Sequence, residues 1–569
     1  GQGIFMLYLS WSRHDKIFHV HCGPLGVHEL GPDWPQLAYL LKIPTIRAMR
    51  YAVKYFSGLI AFIAMGNYAA VAGLNLIPWP DQVEVRADAF VLNAQTTIFA
   101  DPPFIQEARQ LADVWKLAIT TSEGGNRILL TTNGSSGLPE EGYHLTVAAT
   151  GVVIQARSAA GAFYGCQTLQ QLAGPARRTI PGVHITDAPR YVWRGFLLDV
   201  SRHFFDQPTL LQVLDWMAAY KLNRFHLHLT DNQAWRLEVG GYPELTGVGA
   251  RGSFTDSNAP PRFFSKAEMQ EIIGYAARKH IVVVPEIDMP GHAGAATRTY
   301  PTLDGHWFTY DPVQETTYEF LQKVLLDVMQ TFPSPWIHFG GDEVNTSGWD
   351  AVAGVKEKLR AEGLDRPQQL EGYFVRRMSQ FIAEHGHIPL GWDEIVSARP
   401  ATNTVIFWWR HNKPEMLAQA LTEGYSVVLT PRSPCYFDYP QNTAFPTTGW
   451  KLYNTPEAVY RGPRIPTNLP PVQLQRILGV EGCVWTERIS SRPYLEFMIM
   501  PRLLALAEMA WTSPKEQNYA RFSDCLKPIM AQCRQDGIQV YSAENPLGSR
   551  QEATRLERPL ATSLPLKPD

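Results

Sequence analysis

The sequence predicts an α/β protein in which a (β/α)8 TIM barrel follows a small α+β domain. Two observations support the barrel: eight short apolar segments recur between residues 191 and 515, and helical patterns separate most of them. A barrel of this kind needs about 250 residues, more with insertions, and the region is long enough. The competing fold is an open doubly wound sheet, but no glycine-rich phosphate turn follows the first strand. The barrel is therefore the favoured architecture.

The predicted strands and helices alternate along the barrel region. The strands cover residues 195–201, 224–230, 281–287, 337–340, 388–391, 404–409, 426–430 and 477–484. Helices are predicted at 208–220, 266–279, 317–331, 370–385 and 414–423, and another follows the eighth strand at 492–510. In a barrel, this order brings the carboxyl ends of all the strands to one face, where active sites of the fold lie.

Residues 74–190 form the predicted α+β domain. Strand-like segments occur at 82–92, 127–131, 143–147 and 151–157, and the last two have the pattern of a hairpin. A helix rich in Ala, Leu and Gln is predicted at 158–172. The turn-like residues 187–190 mark the boundary to the barrel, and residues 516–569 are assigned to a C-terminal helical segment and tail. No catalytic set of residues is recognisable in the small domain.

The first 73 residues contain a segment typical of a secretory signal. Residues 49–72 combine a basic start, a short apolar centre and an Ala-x-Ala ending. The apolar run is too short for a good transmembrane span. We therefore expect 1–73 to comprise an upstream extension and a signal peptide. Export to the periplasm or the exterior is expected to leave no stable membrane span in the cleaved chain. The alternative is that this region is a genuine arm or an amphipathic anchor.

Composition excludes some functions and hints at another. The formal net charge of −3 gives no excess of positive charge that would favour binding to nucleic acid or an anionic membrane. Aromatic residues make up 11% of the chain, with 16 Trp, which suits carbohydrate binding but also a Trp-rich core. The six cysteines have no metal-type spacing. Cys435 and Cys483 are candidates for a disulfide, and neither a metal nor a cofactor is predicted.

Two adjacent carboxylates, Asp342 and Glu343, follow the fourth predicted strand. Side chains alternate along a strand, so both carboxylates can face one pocket only if the backbone bends before them. Gly340 and Gly341 provide that freedom. An exposed acidic turn would have the same local pattern, and only the other strand ends favour a site. Those ends carry Asp199, Arg202, His203, His228, Asp231, Glu286, Asp288, His292, Trp392, Asp393, Glu394, Trp408, Trp409, Arg410, Tyr436, Asp438, Trp485 and Glu487.

Carboxylates beside Trp side chains suit glycoside hydrolysis. That reaction needs an acid for the leaving oxygen and a group that stabilises positive charge at the anomeric carbon. His226 and His228 lie two residues apart, a spacing that can bind a metal, but buried hydrogen bonding is the favoured interpretation. No Gly-x-Ser-x-Gly motif is present. From the residues alone, the prediction goes no further than a glycosidase.

Several motifs together resemble glycoside hydrolase family 20, the β-N-acetylhexosaminidases. They are Arg194-Gly195 with Asp199-x-Ser201-Arg202-His203, then His228-Leu229-Thr230-Asp231, Pro290-Gly291-His292, His338-Phe339-Gly340-Gly341-Asp342-Glu343, and residues 479–487 (GVEGCVWTE). The resemblance covers about 74–515 of the sequence. It implies a substrate-assisted reaction, in which the 2-acetamido group of the substrate replaces an enzyme nucleophile.

The resemblance also implies roles for individual residues. Glu343 would protonate the leaving oxygen and then activate water, which requires a raised pKa. Asp342 would hold the acetamido N–H and stabilise its developing charge, and Tyr436 would bind the acetamido oxygen. The substrate-binding residues implied are Arg202 and Glu487 for the 3- and 4-hydroxyls, Asp438 for the outer hydroxyls, Trp392, Trp409 and Trp485 as walls, and Asp231 and His292 as residues that orient Glu343.

The leading hypothesis is an exo-acting retaining β-N-acetylhexosaminidase acting on N-acetylhexosaminide oligosaccharides or glycoconjugates, with GlcNAc or GalNAc as the terminal sugar. One alternative is a related barrel glycosidase with a carboxylate nucleophile. Another is a non-catalytic sugar-binding protein, although the intact Asp342–Glu343 pair argues against it. Asp393–Glu394 is a rival carboxylate pair without a preceding Gly-Gly bend, and Trp408 competes with Trp409 for the inward position.

Overall fold

The structure is a computed structural model that describes residues 7–12, 17–22, 26–30, 73–121, 125–175, 178–445, 452–466 and 468–555. The chain forms two compact units, Gly1–Gly73 and Leu74–Asp569. In the first, strands β1 (Leu7–Ser12), β2 (Ile17–Cys22) and β3 (Gly26–Leu30) make an antiparallel sheet in that order. The signal-like residues 49–72 lie outside the described residues. No helix in the described ranges is long and apolar enough to cross a membrane.

The second unit begins with a seven-stranded sheet in the order β4-β10-β8-β9-β7-β5-β6. Its strands are β4 (Gln82–Val91), β5 (Thr97–Ala100), β6 (Ala118–Ile119), β7 (Arg127–Thr131), β8 (Tyr143–Ala148), β9 (Gly151–Ala156) and β10 (Thr179–Asp187). Helices Ile105–Trp115 and Ala159–Ala173 accompany the sheet, and Ser158 caps the second by accepting the Gly161 N–H. The sequence patterns missed the short strands β5 and β6, helix Ile105–Trp115 and β10. A bulge between Pro181 and Val183 interrupts the alternation of β10.

The predicted barrel is confirmed. Eight strands close in chain order, and every neighbouring pair is parallel. They are β11 (Trp193–Asp199), β12 (Arg224–His228), β13 (Val282–Glu286), β14 (Trp336–His338), β15 (Ile388–Trp392), β16 (Val405–Trp408), β17 (Ser426–Leu429) and β18 (Ile477–Val484). The predicted segments match these strands in order and to within a few residues, so the functional side chains at their ends share one rim.

Five of the six helices predicted in the barrel region are confirmed, and several shorter helices that were not predicted lie between them. The α-helices are Gln207–Ala219, Glu244–Gly247, Lys266–Ala277, Gly294–Thr299, Glu315–Thr331, Val355–Glu362, Gln369–Glu384, Pro414–Thr422, Arg432–Cys435, Pro456–Arg461, Pro471–Leu474, Arg492–Ile499, Arg502–Trp511, Tyr519–Gln535 and Pro546–Arg555. The single helix predicted at 492–510 is wrong. Met500 is extended before Pro501, because a proline disfavours helical backbone in the preceding residue. Two helices therefore replace one.

The small domain and the barrel meet through buried polar contacts. Asp187, predicted as part of a turn, instead ends β10 in the interior. Its carboxylate accepts hydrogen bonds from Tyr143 Oη at 2.6 Å, Lys221 Nζ at 3.0 Å and Trp511 Nε1 at 2.9 Å. Arg194 of β11 forms a bidentate pair with Glu141 of the small domain, at 2.8 and 2.9 Å. These contacts fix the base of β11 against the small domain.

Candidate active site

The backbone bends sharply after β14, and glycine is needed for the bend. Gly340 and Gly341 have φ values of +72° and +93°, and Glu343 also lies in the left-handed region at +49°. A Cβ on Gly340 would stand 1.7 Å from Asp288 Oδ1, and one on Gly341 would stand 2.3 Å from Ile395 Cγ2. The bend presents Asp342 and Glu343 together at the rim, with both carboxylates near one histidine.

His292 joins the two carboxylates, which differ in depth. Its Nε2 lies 3.5 Å from Asp342 Oδ2 and 3.7 Å from Glu343 Oε2. The Asp342 side chain is 14% exposed and that of Glu343 is 60% exposed. The second oxygen of Asp342, Oδ1, is buried and accepts no hydrogen bond from the protein. Asp342 therefore offers an acceptor inside the pocket, whereas Glu343 faces the opening.

The surrounding charges shift the pKa values of Glu343 and His292. Partial removal from water raises the pKa of Glu343, and the adjacent Asp342 carboxylate raises it again. Burial opposes charge on His292, but the carboxylates of Asp231, Asp342 and Asp288 outweigh it and raise the pKa of His292 well above its usual value. Glu343 therefore keeps its proton to higher pH than an ordinary glutamate, next to a cationic His292.

Arg202 lies at the end of β11 among carboxylates. Its Nη2 is 2.8 Å from Asp231 Oδ2 and 4.0 Å from Glu487 Oε1, and its Nη1 is 3.5 Å from Asp199 Oδ2. The guanidinium also lies 5.1 Å from the centre of the Trp485 ring. Asp231 fixes the guanidinium, so Arg202 and the partly exposed Glu487 can present polar atoms to one ligand.

Aromatic side chains line the same rim. Trp392 and Trp485 lie with ring centres 5.7 Å apart, and Tyr436 lies 6.0 Å from Trp485. Trp409 stacks nearly parallel to Tyr436 at 6.3 Å. Trp408 points elsewhere, since its Nε1 donates to the Lys413 carbonyl at 3.2 Å. Trp409 is thus the inward residue of the two.

Asp438 and the rival pair Asp393–Glu394 occupy different settings. Asp438 Oδ1 is buried without a protein partner, and burial together with Glu487 raises the pKa of Asp438 well above its usual value. By contrast, Asp393 accepts from Arg410 Nε at 3.0 Å and Glu394 accepts from Trp409 Nε1 at 2.9 Å. The rival pair is therefore engaged in holding Trp409 and Arg410.

The sequence matches known families over both domains of the second unit. The model of "Glycosyl hydrolase family 20, catalytic domain" matches residues 191–514, more than half of the chain. The model of the family's domain 2 matches residues 73–188. The chain belongs to glycosyl hydrolase family 20. It is therefore a glycoside hydrolase of the β-N-acetylhexosaminidase type, as the motifs predicted.

Named relatives of this family 20 chain agree with the assignment. A β-hexosaminidase of Porphyromonas gingivalis is 33% identical over 84% of this chain and 66% of its own length. A β-N-acetylhexosaminidase of Cellulomonas fimi is 33% identical over 79% of this chain and 92% of its own length. The crystal structure of an exo β-N-acetylglucosaminidase from Vibrio harveyi, in complex with N-acetylglucosamine, superposes with a TM-score of 0.75 at 27% identity, covering 82% of this chain and 78% of the other.

The core of the family 20 barrel holds a carboxylate that the sequence analysis assigned no role. Glu286 is fully buried at the end of β13. Its Oε2 lies 2.6 Å from His228 Nδ1 and 3.3 Å from His226 Nε2, and its Oε1 lies 3.0 Å from His338 Nδ1. Trp392 Nε1 also donates to it at 2.9 Å. These cationic and polar partners outweigh the effect of burial and hold the pKa of Glu286 well below its usual value.

The network continues from Glu286 to the carboxylate pair. His228 Nε2 lies 2.8 Å from Asp231 Oδ2, and Asp231 Oδ1 lies 3.3 Å from His292 Nδ1. His292 then reaches Glu343 through its other nitrogen. Because His228 is held at both nitrogens and His292 is held at Nδ1, the buried network determines how His292 presents its Nε2 to Glu343.

Asp288 is a second residue that the sequence analysis left without a role. Its Oδ1 accepts the Gly341 N–H at 3.4 Å, so it supports the bend before the pair. Burial and the nearby Asp342 carboxylate raise the pKa of Asp288 well above its usual value. The available signal was the sequence Pro-Glu-Ile-Asp immediately before Met289 and the Pro-Gly-His motif, at the end of a predicted strand.

Histidine and carboxylate clusters around the site could offer ligands to a metal ion. Three groups of side chains place possible ligand atoms within 4.8 Å of one another: His226, Glu286 and His338; His228, Asp231 and Asp288; and Asp288, His292 and Asp342. Most of the short distances within these three groups are the His–carboxylate contacts described above, which hold the side chains together as hydrogen-bonded or ion pairs. The disulfide considered for Cys435 and Cys483 is wrong, because both are free and buried, as neutral thiols whose pKa values burial raises.

Proposed function

We propose that this family 20 enzyme is an exo-acting retaining β-N-acetylhexosaminidase that works by substrate assistance. The observation that carries the proposal is the inequality of the two adjacent carboxylates. Glu343 is exposed with a raised pKa, whereas Asp342 is deeper and keeps a buried oxygen without a protein partner. A proton donor beside a buried acceptor suits a substrate that brings its own nucleophile.

In the first step, the 2-acetamido carbonyl oxygen of the substrate attacks the anomeric carbon. The bond from that carbon to the leaving oxygen breaks, and Glu343 transfers its proton to the leaving oxygen. Asp342 accepts the acetamido N–H through Oδ1 and stabilises positive charge on the resulting oxazolinium. Tyr436 donates to the acetamido oxygen and aligns it for attack.

In the second step, Glu343 removes a proton from water, and the water oxygen attacks the anomeric carbon on the face the leaving group vacated. The bond from the acetamido oxygen breaks, and the acetamido group is restored. Two inversions give net retention of configuration. His292 lies close to both carboxylates and limits repulsion between them while Glu343 is ionised.

Terminal sugar recognition is proposed for the polar and aromatic residues of the rim. Arg202 and Glu487 would bind the 3- and 4-hydroxyls, and Asp438 would accept from an outer hydroxyl through its buried Oδ1. Trp392, Trp409 and Trp485 would enclose the ring and the acetamido group. The exo mode has support from the Vibrio harveyi relative, whose structure carries that description.

A thiazoline analogue of the oxazolinium tests the mechanism. Competitive inhibition is expected at concentrations far below those at which N-acetylglucosamine itself inhibits, because transition-state and intermediate analogues bind tighter than products. If the analogue fails to inhibit an enzyme that still releases N-acetylglucosamine from aryl glycosides, the carboxylate-nucleophile alternative replaces this mechanism. No turnover, with unchanged sugar binding by Glu343→Gln, would favour a sugar-binding protein.

We also propose that the enzyme acts outside the cytoplasm, on the basis of the signal-like residues 49–72. Expression of the full chain in a bacterial host, followed by fractionation, tests this. We expect activity in the periplasm or medium, and loss of export when the apolar run at 55–65 is interrupted by charges. Activity confined to the cytoplasm would contradict the proposal.

A further inference from the structure

We infer that Arg502 is a positioning residue for recognition of the terminal sugar, because it holds the backbone on both sides of Asp438. Arg502 is the first residue of helix Arg502–Trp511 and is fully buried. The inference rests on the proposed function, in which Asp438 accepts a hydrogen bond from an outer hydroxyl of that sugar. It adds a residue that does not touch the sugar but determines how well the outer hydroxyl is bound.

Every N–H of the Arg502 guanidinium donates to a main-chain carbonyl. Nη1 donates to the carbonyls of Tyr439 at 2.8 Å and Asn454 at 3.1 Å. Nη2 donates to the carbonyl of Phe437 and, at 2.6 Å, to that of Met498, which also accepts from Nε at 3.1 Å. A guanidinium carries five N–H donors in one fixed plane, so Arg502 can join carbonyls of four residues at once.

Two of those carbonyls flank Asp438, in a segment that has few other partners for its backbone. Residues 436–440 follow the distorted short helix Arg432–Cys435. Carbonyls outside regular helices and sheets have no built-in partner, and burying one without a hydrogen bond is costly. From the opposite side, the Phe437 N–H donates to the Cys483 carbonyl of β18 at 2.7 Å. The segment is therefore held from two sides.

Asn454 holds the same segment at Tyr436. Its Nδ2 donates to the Tyr436 carbonyl at 2.7 Å and to the Arg432 carbonyl at 2.6 Å, while its own carbonyl accepts from Arg502. Tyr436 has extended backbone angles. Side chains alternate along extended backbone, so Tyr436 and Asp438 lie on the same side of the segment. Arg502 and Asn454 thus fix the backbone behind two proposed substrate contacts.

The charge of Arg502 also acts on Asp438. Burial lowers the pKa of Arg502 to about 9, and the Asp438 carboxylate opposes this shift. In return, Arg502 opposes the rise in the pKa of Asp438 that burial and Glu487 cause. A cation behind the segment favours the ionised form of Asp438, which is the stronger acceptor for a sugar hydroxyl.

A second buried arginine provides a matched comparison at another strand end. Arg236 is 1% exposed, and its five N–H groups also donate to main-chain carbonyls, at 2.8–3.1 Å. Two of these carbonyls belong to Val200 and Ser201, directly before Arg202. Arg236 therefore has the same chemistry as Arg502 but supports Arg202, which is proposed to bind the 3- and 4-hydroxyls.

The test measures kcat/KM on three aryl N-acetyl-β-glucosaminides: the parent sugar, its 6-deoxy analogue and its 3-deoxy analogue. Wild type should prefer the parent over the 6-deoxy substrate by about 10-fold, a typical effect of a hydrogen bond to a charged group. Arg502→Lys keeps the positive charge but cannot reach every carbonyl, so this preference should fall to about threefold or less. The preference over the 3-deoxy substrate should stay within about twofold of wild type, because Arg202 is held separately.

Arg236→Lys should show the opposite pattern, with a reduced preference for the parent over the 3-deoxy substrate and an unchanged preference over the 6-deoxy substrate. Asn454→Ala, a smaller change to the segment behind Asp438, should also lower the 6-hydroxyl preference, and it provides the test if Arg502→Lys does not fold.

A purely structural role for Arg502 predicts equal losses on all three substrates. An unchanged 6-hydroxyl preference in folded Arg502→Lys or Asn454→Ala enzyme would therefore overturn the inference and leave the proposed function intact. A wild-type enzyme that hydrolyses the parent and the 6-deoxy substrate equally well would instead overturn the proposed role of Asp438, and the inference with it.

Discussion

Replacing Glu343 by glutamine removes the proposed proton donor and keeps the size of the side chain. We expect a large loss of kcat, about 10²-fold or more, on substrates with poor leaving groups. The loss on dinitrophenyl or similarly activated glycosides should be much smaller, because their leaving oxygens need little protonation. Steady-state rates over a leaving-group series measure this, and equal losses across the series would contradict the acid role of Glu343.

We expect Asp342→Asn to have two separable effects, one on kcat and one on the pKa of Glu343. The carboxylate faces a charge that develops mainly in the transition state, so kcat should fall by about 10²-fold while KM changes little. Its negative charge also raises the pKa of Glu343, so the pKa should fall in the variant. Because Glu343 must be protonated, the basic limb of the kcat/KM profile should move to lower pH. An unmoved or upward-shifted limb would contradict this coupling.

At the residue scale, sequence reasoning located most of the site but not its internal order. Asp342, Glu343, Arg202 and His292 were identified from motifs, and the structure places them around one rim. The choice between Trp408 and Trp409 depends on which face of β16 points inward; Trp409 shares the inward face of Val405 and Phe407, and the sequence alone did not show which face that is. Glu286 was passed over because its partners His228, His338 and Trp392 are distant along the chain and meet only in the closed barrel.

At the element scale, the bend after β14 depends on two properties of Gly340, its backbone angle and its lack of a side chain. Gly340→Ala adds strain at φ +72° and a clash with Asp288, whereas Gly386→Ala adds strain at φ +80° with no atom within 4 Å. We expect Gly386→Ala to cost about 1 kcal/mol of unfolding free energy. Gly340→Ala should cost clearly more and abolish most activity. Unfolding in denaturant measures the free energy of unfolding of each variant, and steady-state kinetics measures kcat. Equal losses of stability and activity in Gly340→Ala and Gly386→Ala would contradict the role of Gly340 in the bend.

The limits of prediction at this scale have physical causes. β18 was predicted with its observed bounds, 477–484, although Gly479, Glu481 and Gly482 interrupt its apolar residues. β10 was missed because Pro181 and Gly182 break its pattern, although its neighbours pair with it on both sides. The helix predicted at 492–510 breaks at Pro501, because a proline ends a helix even within a continuous apolar pattern.

For the molecule as a whole, the buried ion pair between Asp187 and Lys221 links the small domain to the barrel. Both side chains are fully buried, and Lys221 Nζ also lies 4.4 Å from the centre of the Trp511 ring. Lys221→Met leaves Asp187 without its cation, and we expect a loss of about 3–5 kcal/mol of unfolding free energy. A matched surface variant, Lys527→Met, removes an exposed, solvent-screened pair and should leave the unfolding free energy nearly unchanged. Comparable unfolding free energies for the two variants would contradict the role of the buried pair.

The barrel itself was predictable because eight repeated strand–helix units leave few other architectures, and the family motifs sit at the ends of those strands. The joint between the domains was not predictable, because Asp187 has the local composition of a turn and gains its buried partners only in the folded chain. The sequence therefore identified the barrel and most residues of the site, whereas the contacts between those residues are visible only in the folded structure.

The central claim is that the substrate's acetamido group is the nucleophile, and fluorination of that group tests it most directly. Aryl β-glucosaminides whose 2-amino group carries an acetyl, a difluoroacetyl or a trifluoroacetyl group would be compared by kcat/KM under identical conditions. Fluorine withdraws electrons from the carbonyl oxygen, so substrate assistance predicts a steep and progressive fall in rate along the series. Rates that stay level along the series would contradict participation and favour a carboxylate of the enzyme as the nucleophile.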